Sequence, residues 1–314
     1  MKLFIIGNGF DRGHDLRTTY WDFRTFLEDE HWQFLMSFEE NYSLYPADTS
    51  APYYREDVHK QSRGNLLWYE LETNLANIDL DHIVDNADHM DLGLENEYDI
   101  IDTLDHYNAS QYQYIEQLAI HLDEWVKTIN LDNVRRRTTL ISQNDEAIYI
   151  TFNYTEVLEK VYQIDPYEVI HIHGSIREDD IEPVLGHGNL EIIDRMRDER
   201  HEAEGHQNEK AMSIRRAMED YFRKTYKDIR EYMLELSRLH GEDIDEIIVI
   251  GHSLSGVDIP YFKEIDHRTS KKASWIVHYF SPAEEKRMRE SLLKCEIDKE
   301  RIVMIQSNEF YDLP

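Results

Sequence analysis

The amino-acid sequence predicts an α/β protein with a parallel sheet that is covered by helices on both faces. Six short apolar runs, each typical of a buried strand, alternate with helical stretches along the 314 residues. Polar or glycine-containing segments follow most of these runs, as in sheets that bind ligands beyond the carboxyl ends of their strands. The predicted strands are residues 1–7, 147–152, 169–173, 246–250, 274–280 and 301–305.

The first predicted strand ends in a glycine turn, Gly7-Asn8-Gly9-Phe10-Asp11, and a helical pattern follows it. Glycines let a backbone turn tightly and approach a ligand, and the next helix can direct N–H groups at an anion. The third glycine of the dinucleotide fingerprint is missing, so an ordinary strand-to-helix turn explains this segment equally well. Whether this turn binds a ligand therefore has to be judged together with the residues at the later strand ends.

The interval between the first two predicted strands is too long for one crossover connection. Residues 41–65 are polar, contain Pro46 and Pro52, and are predicted to form a loop. We therefore predict an α/β nucleotide-binding core at residues 1–24 and 146–314, and a mainly helical insertion at residues 25–145. The predicted helical stretches in and around the insertion are residues 13–40, 66–88 and 106–144.

Charge and cysteine content exclude several functional classes. The chain has 34 basic and 64 acidic side chains, a formal net charge of −30, which repels nucleic-acid backbones and anionic membranes. No apolar run approaches the length of a membrane-spanning helix, and no signal-peptide pattern is evident. Cys295 is the only cysteine and cannot form an intrachain disulfide. We expect a reducing, cytoplasmic setting without membrane or long nucleic-acid partners.

Two strand ends carry candidate catalytic residues. Asn153 follows the second predicted strand, where it either caps the next helix or orients a substrate amide, hydroxyl or water. His173 ends the third predicted strand next to Gly174, and imidazole titrates near neutral pH, so it is a candidate general base. His171 shares its strand face but lies one pleat deeper, where a core histidine is common.

The loop after the fourth predicted strand contains candidate ligand donors. Gly251, Ser253 and Gly256 do not have the G-x-S-x-G spacing of a nucleophile elbow. Ser253 and the loop N–H groups are instead predicted to donate hydrogen bonds to a phosphate or a ribose.

Several of these segments together resemble the AbiH family, a bacterial family linked to abortive infection, in which a phage-infected cell stops growing or dies. The resemblance extends over most of the chain, and its most specific part is the first glycine turn. The segments that carry it are Ile5–Asp11 with the following His14, Leu16, Thr18, Tyr20, Asp22 and Phe23, then Thr151–Thr155, His171–Ser175, Ile250–Leu254 and Val257–Phe262.

The order of these segments is also similar, more distantly, to the sirtuin-type NAD-binding fold, a Rossmann-like core of three layers. The corresponding segments are Gly7-Asn8-Gly9, Trp21–Arg24, Phe152-Asn153, His173-Gly174 and Gly251–Ser253. By this resemblance Asn153 positions the nicotinamide ribose and a water, and His173 is the general base on the ribose. The four cysteines of the sirtuin zinc module are missing, so protein deacylation and a structural zinc are not expected.

These resemblances imply an NAD-hydrolysing, nicotinamide-releasing effector of phage defence, with Asn153 and His173 as catalytic residues. NAD is the expected substrate, and no metal is expected. A homo-oligomer, or a phage-derived or defence-system protein that acts as the trigger, stays open as a further partner. The predicted cofactor-binding residues are Gly7, Asn8, Gly9, Phe10, Asp11, Phe23, Arg24, Gly174, Ser175, Gly251 and Ser253.

Two alternatives from other functional classes stay open at this point. A nucleotide-binding sensor of phage defence would use the same site to recognise NAD, ADP-ribose or a phage-derived nucleotide without turnover. A metal-dependent nuclease or phosphohydrolase would use Asp11, His171 and His173 with acidic neighbours.

Overall fold

A six-stranded parallel sheet forms the centre of the α/β part of the molecule. The computed structural model describes residues 1–47, 49–50, 53–79, 114–177, 180–206 and 209–313. The strand order is β3-β2-β1-β4-β5-β6, and all neighbouring strands are parallel. The predicted fold class is therefore confirmed. The strands are β1 (Lys2–Ile6), β2 (Ala147–Thr151), β3 (Val169–His171), β4 (Glu246–Ile250), β5 (Ser274–Tyr279) and β6 (Ile302–Gln306).

Helical segments connect the strands. A π-helical turn (Val157–Val161) follows β2, and 3-10 segments include Glu235–Leu239 and Gly256–Asp258. None of the described helices has both the length and the apolar character that crossing a membrane requires. The α-helices are α1 (Asn8–Gly13), α2 (Tyr20–Glu30), α3 (Trp32–Glu40), α4 (Glu56–Leu66), α5 (Leu71–Asn74), α6 (Tyr114–Thr128), α7 (Leu190–Gly205), α8 (Glu209–Lys224), α9 (Ile229–Tyr232), α10 (Ile259–Arg268) and α11 (Pro282–Lys294).

The register of the central strands brings their carboxyl ends to one level. Lys2 of β1 aligns with Ala147 of β2 on one side and with Glu246 of β4 on the other, and both alignments continue through all five residues of β1. The segments that leave β1, β2 and β4 therefore start side by side. The strand order reverses direction between β1 and β4, which makes this the topological switch point where doubly wound sheets bind ligands.

Both faces of the sheet are covered by apolar side chains, as the continuous apolar strands predict. Leu3 and Ile5 of β1 belong to a core cluster that includes residues of α10 and α11. Phe4 and Ile6 point to the opposite face, where the cluster includes Phe10 of α1 and residues of the π-helical turn. Each fully buried side chain of this kind contributes about 1.5–3 kcal/mol to folding.

The chain forms two compact units. One contains the sheet and consists of Met1–Thr19, Leu122–Val184 and Asp228–Pro314. The other is helical and consists of Tyr20–His121 and Leu185–Lys227. In this division residues 185–227 group with the helical unit and residues 122–145 with the sheet. Residues 80–113 of the predicted insertion lie outside the described residues.

The helical unit contains a buried ionic cluster around Glu39. The carboxylate of this fully buried residue accepts hydrogen bonds from Nε of Arg24 at 2.7 Å, from Nε1 of Trp68 at 2.8 Å, and from Arg63. Arg24 also pairs with Glu28, one helical turn away on α2. The cluster therefore connects α2, α3, α4 and the turn at Trp68.

Two local helix predictions were wrong. The helix α4 occupies part of the segment 41–65 that was predicted to be a loop. The negative charges of Glu56 and Asp57 in its first turn stabilise the helix by interacting with its dipole. Residues 129–144, predicted to be helical, contain no helix. The reason is local: the amide of Asp132 donates to Oδ1 of Asn130 at 2.7 Å, a turn that competes with continuation of α6.

Candidate functional site

Polar side chains collect at the carboxyl edge of the sheet, within the unit that contains the strands. Asp11, Asn153 and His171 form one connected set, and His173 and His252 lie on either side of Asp258. The described side chains of this edge are mostly buried. Buried polar groups are costly unless they are paired, so their contacts indicate what the site can do.

The amide of Asn153 has a fixed orientation. Its Nδ2 atom donates to Oδ1 of Asp11 at 2.8 Å and to the carbonyl oxygen of Gly7 at 3.2 Å. Because both partners are acceptors, the amide nitrogen faces them and the oxygen faces away. Asn153 is 7% exposed, and its Oδ1 atom has no hydrogen-bond partner among the described residues. Asn153 does not cap a helix, since the capping position of the next turn is Glu156.

Asp11 is a buried carboxylate that holds this arrangement together. Its second oxygen accepts a hydrogen bond of 2.6 Å from Oγ1 of Thr155. Burial raises the pKa of Asp11 to about 6, while the hydrogen bonds from Thr155 and Asn153 oppose the rise. Both carboxylate oxygens are therefore occupied by protein donors, and Asp11 orients Asn153 within the protein.

The raised pKa of Asp11 predicts a specific pH dependence of stability. The folded protein binds this proton more tightly than the unfolded chain, so the contribution of Asp11 to stability increases as pH falls through about 6. Between pH 7.5 and pH 5 we expect the wild type to gain about 1 kcal/mol relative to Asp11→Asn, which lacks the titration. Urea unfolding of both proteins at the two pH values measures this difference. A difference that stays constant, or that falls with acidification, would contradict it.

Both ring nitrogens of His171 face acceptors. Nδ1 lies 3.0 Å from the carbonyl oxygen of Asn153, and Nε2 lies 2.8 Å from Oε1 of Glu159. Arg177 approaches the same oxygen of Glu159 at 3.5 Å. His171 therefore fixes the backbone at Asn153, and its nitrogens are occupied by protein partners.

His173 lies among aromatic side chains next to Asp258 and is 3% exposed. Its Nε2 atom is 3.3 Å from the hydroxyl of Tyr261 and 3.5 Å from Oδ1 of Asp258. The ring of Phe152 packs edge-on against it at a centroid distance of 5.2 Å. On the other side of Asp258, Nε2 of His252 lies 3.3 Å from Oδ2. A histidine next to a carboxylate is a common arrangement for proton transfer.

The two glycine turns at the switch point pack directly against each other. The amides of Gly7 and Gly9 donate to the carbonyl oxygens of Ile250 and Gly251, and the amide of Phe10 donates to that of Gly7. A Cβ atom on Gly9 would lie 2.7 Å from the Cα of Gly251. These glycines thus allow close backbone contact between the turns, and the three amides have backbone partners.

The other predicted cofactor-binding residues of the sheet unit have varied surroundings. Phe10 is a core residue that packs against His14 and Tyr162. Ser175 is buried and donates to Asp180 at 2.5 Å. A Cβ atom at Gly174, which has φ +79°, would lie 2.5 Å from the carbonyl oxygen of Glu182.

Two predicted residues of this sheet edge remain exposed, and two belong to the other unit. Asn8 and Ser253 are exposed; Oδ1 of Asn8 accepts from Thr18, and the Ser253 hydroxyl pairs with Ser255. Phe23 and Arg24 lie in the helical unit, where Phe23 packs on Trp68 and Arg24 belongs to the Glu39 cluster.

Sequence reasoning did not single out four residues that complete the site. Thr155 and Asp258 follow β2 and β4 within the segments that carry the family resemblance, so a search for polar residues in the loops beyond the strand ends could have found them. Tyr261 lies at helical spacing from Asp258, at the start of α10. Glu159 lies in the π-helical turn, and its role is evident only from its contact with His171.

Comparison with known proteins identifies a family for this chain. The family model described as Bacteriophage abortive infection AbiH matches residues 3–279. A search of curated proteins gives no match, and neither does a search of solved structures. The more distant resemblance to sirtuins is therefore not confirmed.

Proposed function

Because the chain belongs to the AbiH family of bacteriophage abortive infection proteins, we propose that it is a defence effector that hydrolyses NAD and releases nicotinamide. Family membership supports the role in abortive infection. The reaction is inferred from the polar side chains at the carboxyl edge of the sheet. Removal of NAD stops metabolism in an infected cell, which fits the outcome of abortive infection.

The observation that carries this proposal is the oriented amide of Asn153. The amide nitrogen donates hydrogen bonds to Asp11 and Gly7, so the oxygen faces away from them. This oxygen is buried and has no protein partner among the described residues. Native proteins rarely leave a buried oxygen unpaired, and such an atom is a natural acceptor for a ligand hydroxyl or a water. A ribose hydroxyl and the attacking water are both donors of the required kind.

The proposed hydrolysis uses Asn153 and His173 in two different roles. In hydrolysis the bond between the ribose C1′ atom and the nicotinamide nitrogen breaks, and its electron pair leaves with nicotinamide. The oxygen of water forms the new bond to C1′, and the proton that water loses goes to His173. A cation-like sugar of this kind is stabilised by fixed dipoles at a site that is shielded from water. Asn153 is proposed to hold the ribose and the water.

The metal-dependent alternative has less support among the described residues. Both nitrogens of His171 and both oxygens of Asp11 have partners in the protein. These two residues would have to lose those contacts before they could bind a metal ion. We therefore favour hydrolysis by Asn153 and His173.

Nicotinamide release from NAD tests the proposal directly. We expect release by the wild type, a loss of about 10²–10³-fold in Asn153→Ala, and a loss of about 10²–10⁴-fold in His173→Ala. The matched controls Asn144→Ala and His240→Ala change exposed residues of the same types and should keep full activity. Thermal unfolding of each protein shows whether it is folded.

Three outcomes would count against the proposal. Folded Asn153→Ala and His173→Ala proteins that keep full activity would remove both residues from the mechanism. Calorimetric binding of NAD without any release would favour the sensor. Activity on a nucleotide phosphate that a chelator abolishes would favour the metal-dependent enzyme.

A further inference from the structure

Asp258 stands between two buried histidines at the carboxyl edge of the sheet. It ends the 3-10 segment Gly256–Asp258, directly before α10. Its two oxygens approach Nε2 of His173 at 3.5 Å and Nε2 of His252 at 3.3 Å. Both histidines are more than nine-tenths buried, so little water screens these interactions.

The backbone determines where His252 carries its proton. Its Nδ1 atom accepts a hydrogen bond of 3.0 Å from the amide of Leu254. The neutral ring therefore has its proton on Nε2, the nitrogen that faces Asp258. Leu254 has φ +53°, in the left-handed region, within the tight turn that brings its amide back to the ring. His252 is thus arranged to donate to the carboxylate.

His173 faces the same carboxylate, and its surroundings determine its reactive nitrogen. Nε2 of His173 faces two oxygens, the Tyr261 hydroxyl at 3.3 Å and Oδ1 of Asp258 at 3.5 Å, and a carboxylate only accepts, so Nε2 is the nitrogen expected to carry the proton of the neutral ring. The lone pair that can take a proton is then on Nδ1. Other groups around the ring include the hydroxyl of Tyr261 and the rings of Phe152 and Tyr232, the latter at a centroid distance of 6.1 Å.

We propose that Asp258 and His252 are positioning residues for His173. The carboxylate of Asp258 lies next to the Nε2–H group and stabilises the imidazolium that forms when Nδ1 takes the proton of the attacking water. His252 in turn holds Asp258 in place. The catalytic part of this inference rests on the proposed hydrolysis of NAD, whereas the arrangement of the three side chains can be tested without it.

The first experiment measures the tautomer of His173 by nitrogen NMR of the imidazoles in the full-length protein. We expect the Nε2–H tautomer in the wild type and a mixture with the Nδ1–H tautomer in Asp258→Asn. Glu264→Gln, a partly exposed change on the same helix α10, should match the wild type. The spectrum of His173→Gln identifies the signal. A wild-type ring protonated on Nδ1, or a tautomer that Asp258→Asn leaves unchanged, would overturn the proposal.

The second experiment measures nicotinamide release against pH. We expect Asp258→Asn and His252→Leu to lower kcat about 10–100-fold with little change in KM. The acidic limb of the pH–rate profile should move to lower pH in Asp258→Asn, because the lost carboxylate favoured the charged imidazole. His252→Gln keeps an N–H donor and should retain most activity.

The two experiments separate this inference from the proposed function. If the wild type releases no nicotinamide, the proposed function fails, while the NMR measurement still decides whether Asp258 orients His173. If the wild type is active but Asp258→Asn only loses stability and keeps the same pH profile, Asp258 has a purely structural role and the inference is wrong.

Discussion

The Gly251→Ala protein is expected to be destabilised by about 2–5 kcal/mol. Gly251 has φ +71°, a conformation that costs a residue with a side chain about 1–2 kcal/mol. Its new Cβ atom would also collide with the amide nitrogen of Phe10 and lie 2.6 Å from the carbonyl carbon of Gly9. Forcing extra atoms into packed structure costs about 1–3 kcal/mol more. Urea unfolding measures the change.

Two other glycines provide matched controls for Gly251. Gly241 has φ +88°, but a Cβ atom added there would have no neighbour within 4 Å, so Gly241→Ala should show the conformational cost alone. Gly205, at the end of α7, has neither a positive φ nor a neighbour within 4 Å, and Gly205→Ala should be nearly neutral. Equal destabilisation by Gly241→Ala and Gly251→Ala would show that contact between the two glycine turns contributes nothing.

The Glu39→Gln protein is expected to lose about 3–5 kcal/mol of folding stability. The substitution keeps the shape of the side chain but removes the charge that neutralises the buried Arg24 and Arg63. Breaking a buried ion pair from one side is strongly destabilising, because the remaining charges stay buried without compensation. The glutamine amide has one acceptor oxygen instead of two, so a hydrogen bond from Nε1 of Trp68 or from an arginine is also lost. Chemical unfolding, followed by far-UV circular dichroism, measures the loss.

Glu28→Gln is the control that separates the effect of burying the ion pair from the effect of losing a negative charge next to Arg24. Glu28 pairs with the same guanidinium of Arg24 at 3.0 Å, but its side chain is 57% exposed. Exposed pairs contribute about 0.2–1 kcal/mol, so this variant should stay close to the wild type. If both substitutions cost the same, the buried position of Glu39 would have no special importance.

Strand positions could be predicted from the sequence because buried parallel strands are continuous apolar runs. The first run, predicted at residues 1–7, forms the strand Lys2–Ile6, and the run at 246–250 forms β4 without any shift. The ends of helices were harder to predict. Helix α6 ends at Thr128 through a turn at Asn130 that the apolar pattern of residues 106–144 does not reveal.

The candidate site could be predicted only in part, because a sequence shows where a polar residue ends a strand but not what it contacts. Asn153 and His173 were singled out in this way, and they lie at the predicted edge. Their contacts with Asp11 and Asp258 depend on how the turns pack in three dimensions. Arg24 illustrates the same limit, since its contact with Glu39 arises from the packing of α2 on α3.

The central position of β1 has a consequence for synthesis of the chain. Both neighbours of this strand, β2 and β4, begin far downstream, at Ala147 and Glu246. At about 5–20 residues per second, a ribosome needs on the order of 10–50 s to supply the second of them. Throughout that interval an apolar segment made early lacks at least one edge partner. The order of the strands thus leaves an apolar strand of the nascent chain without its full set of neighbours until β4 has been made.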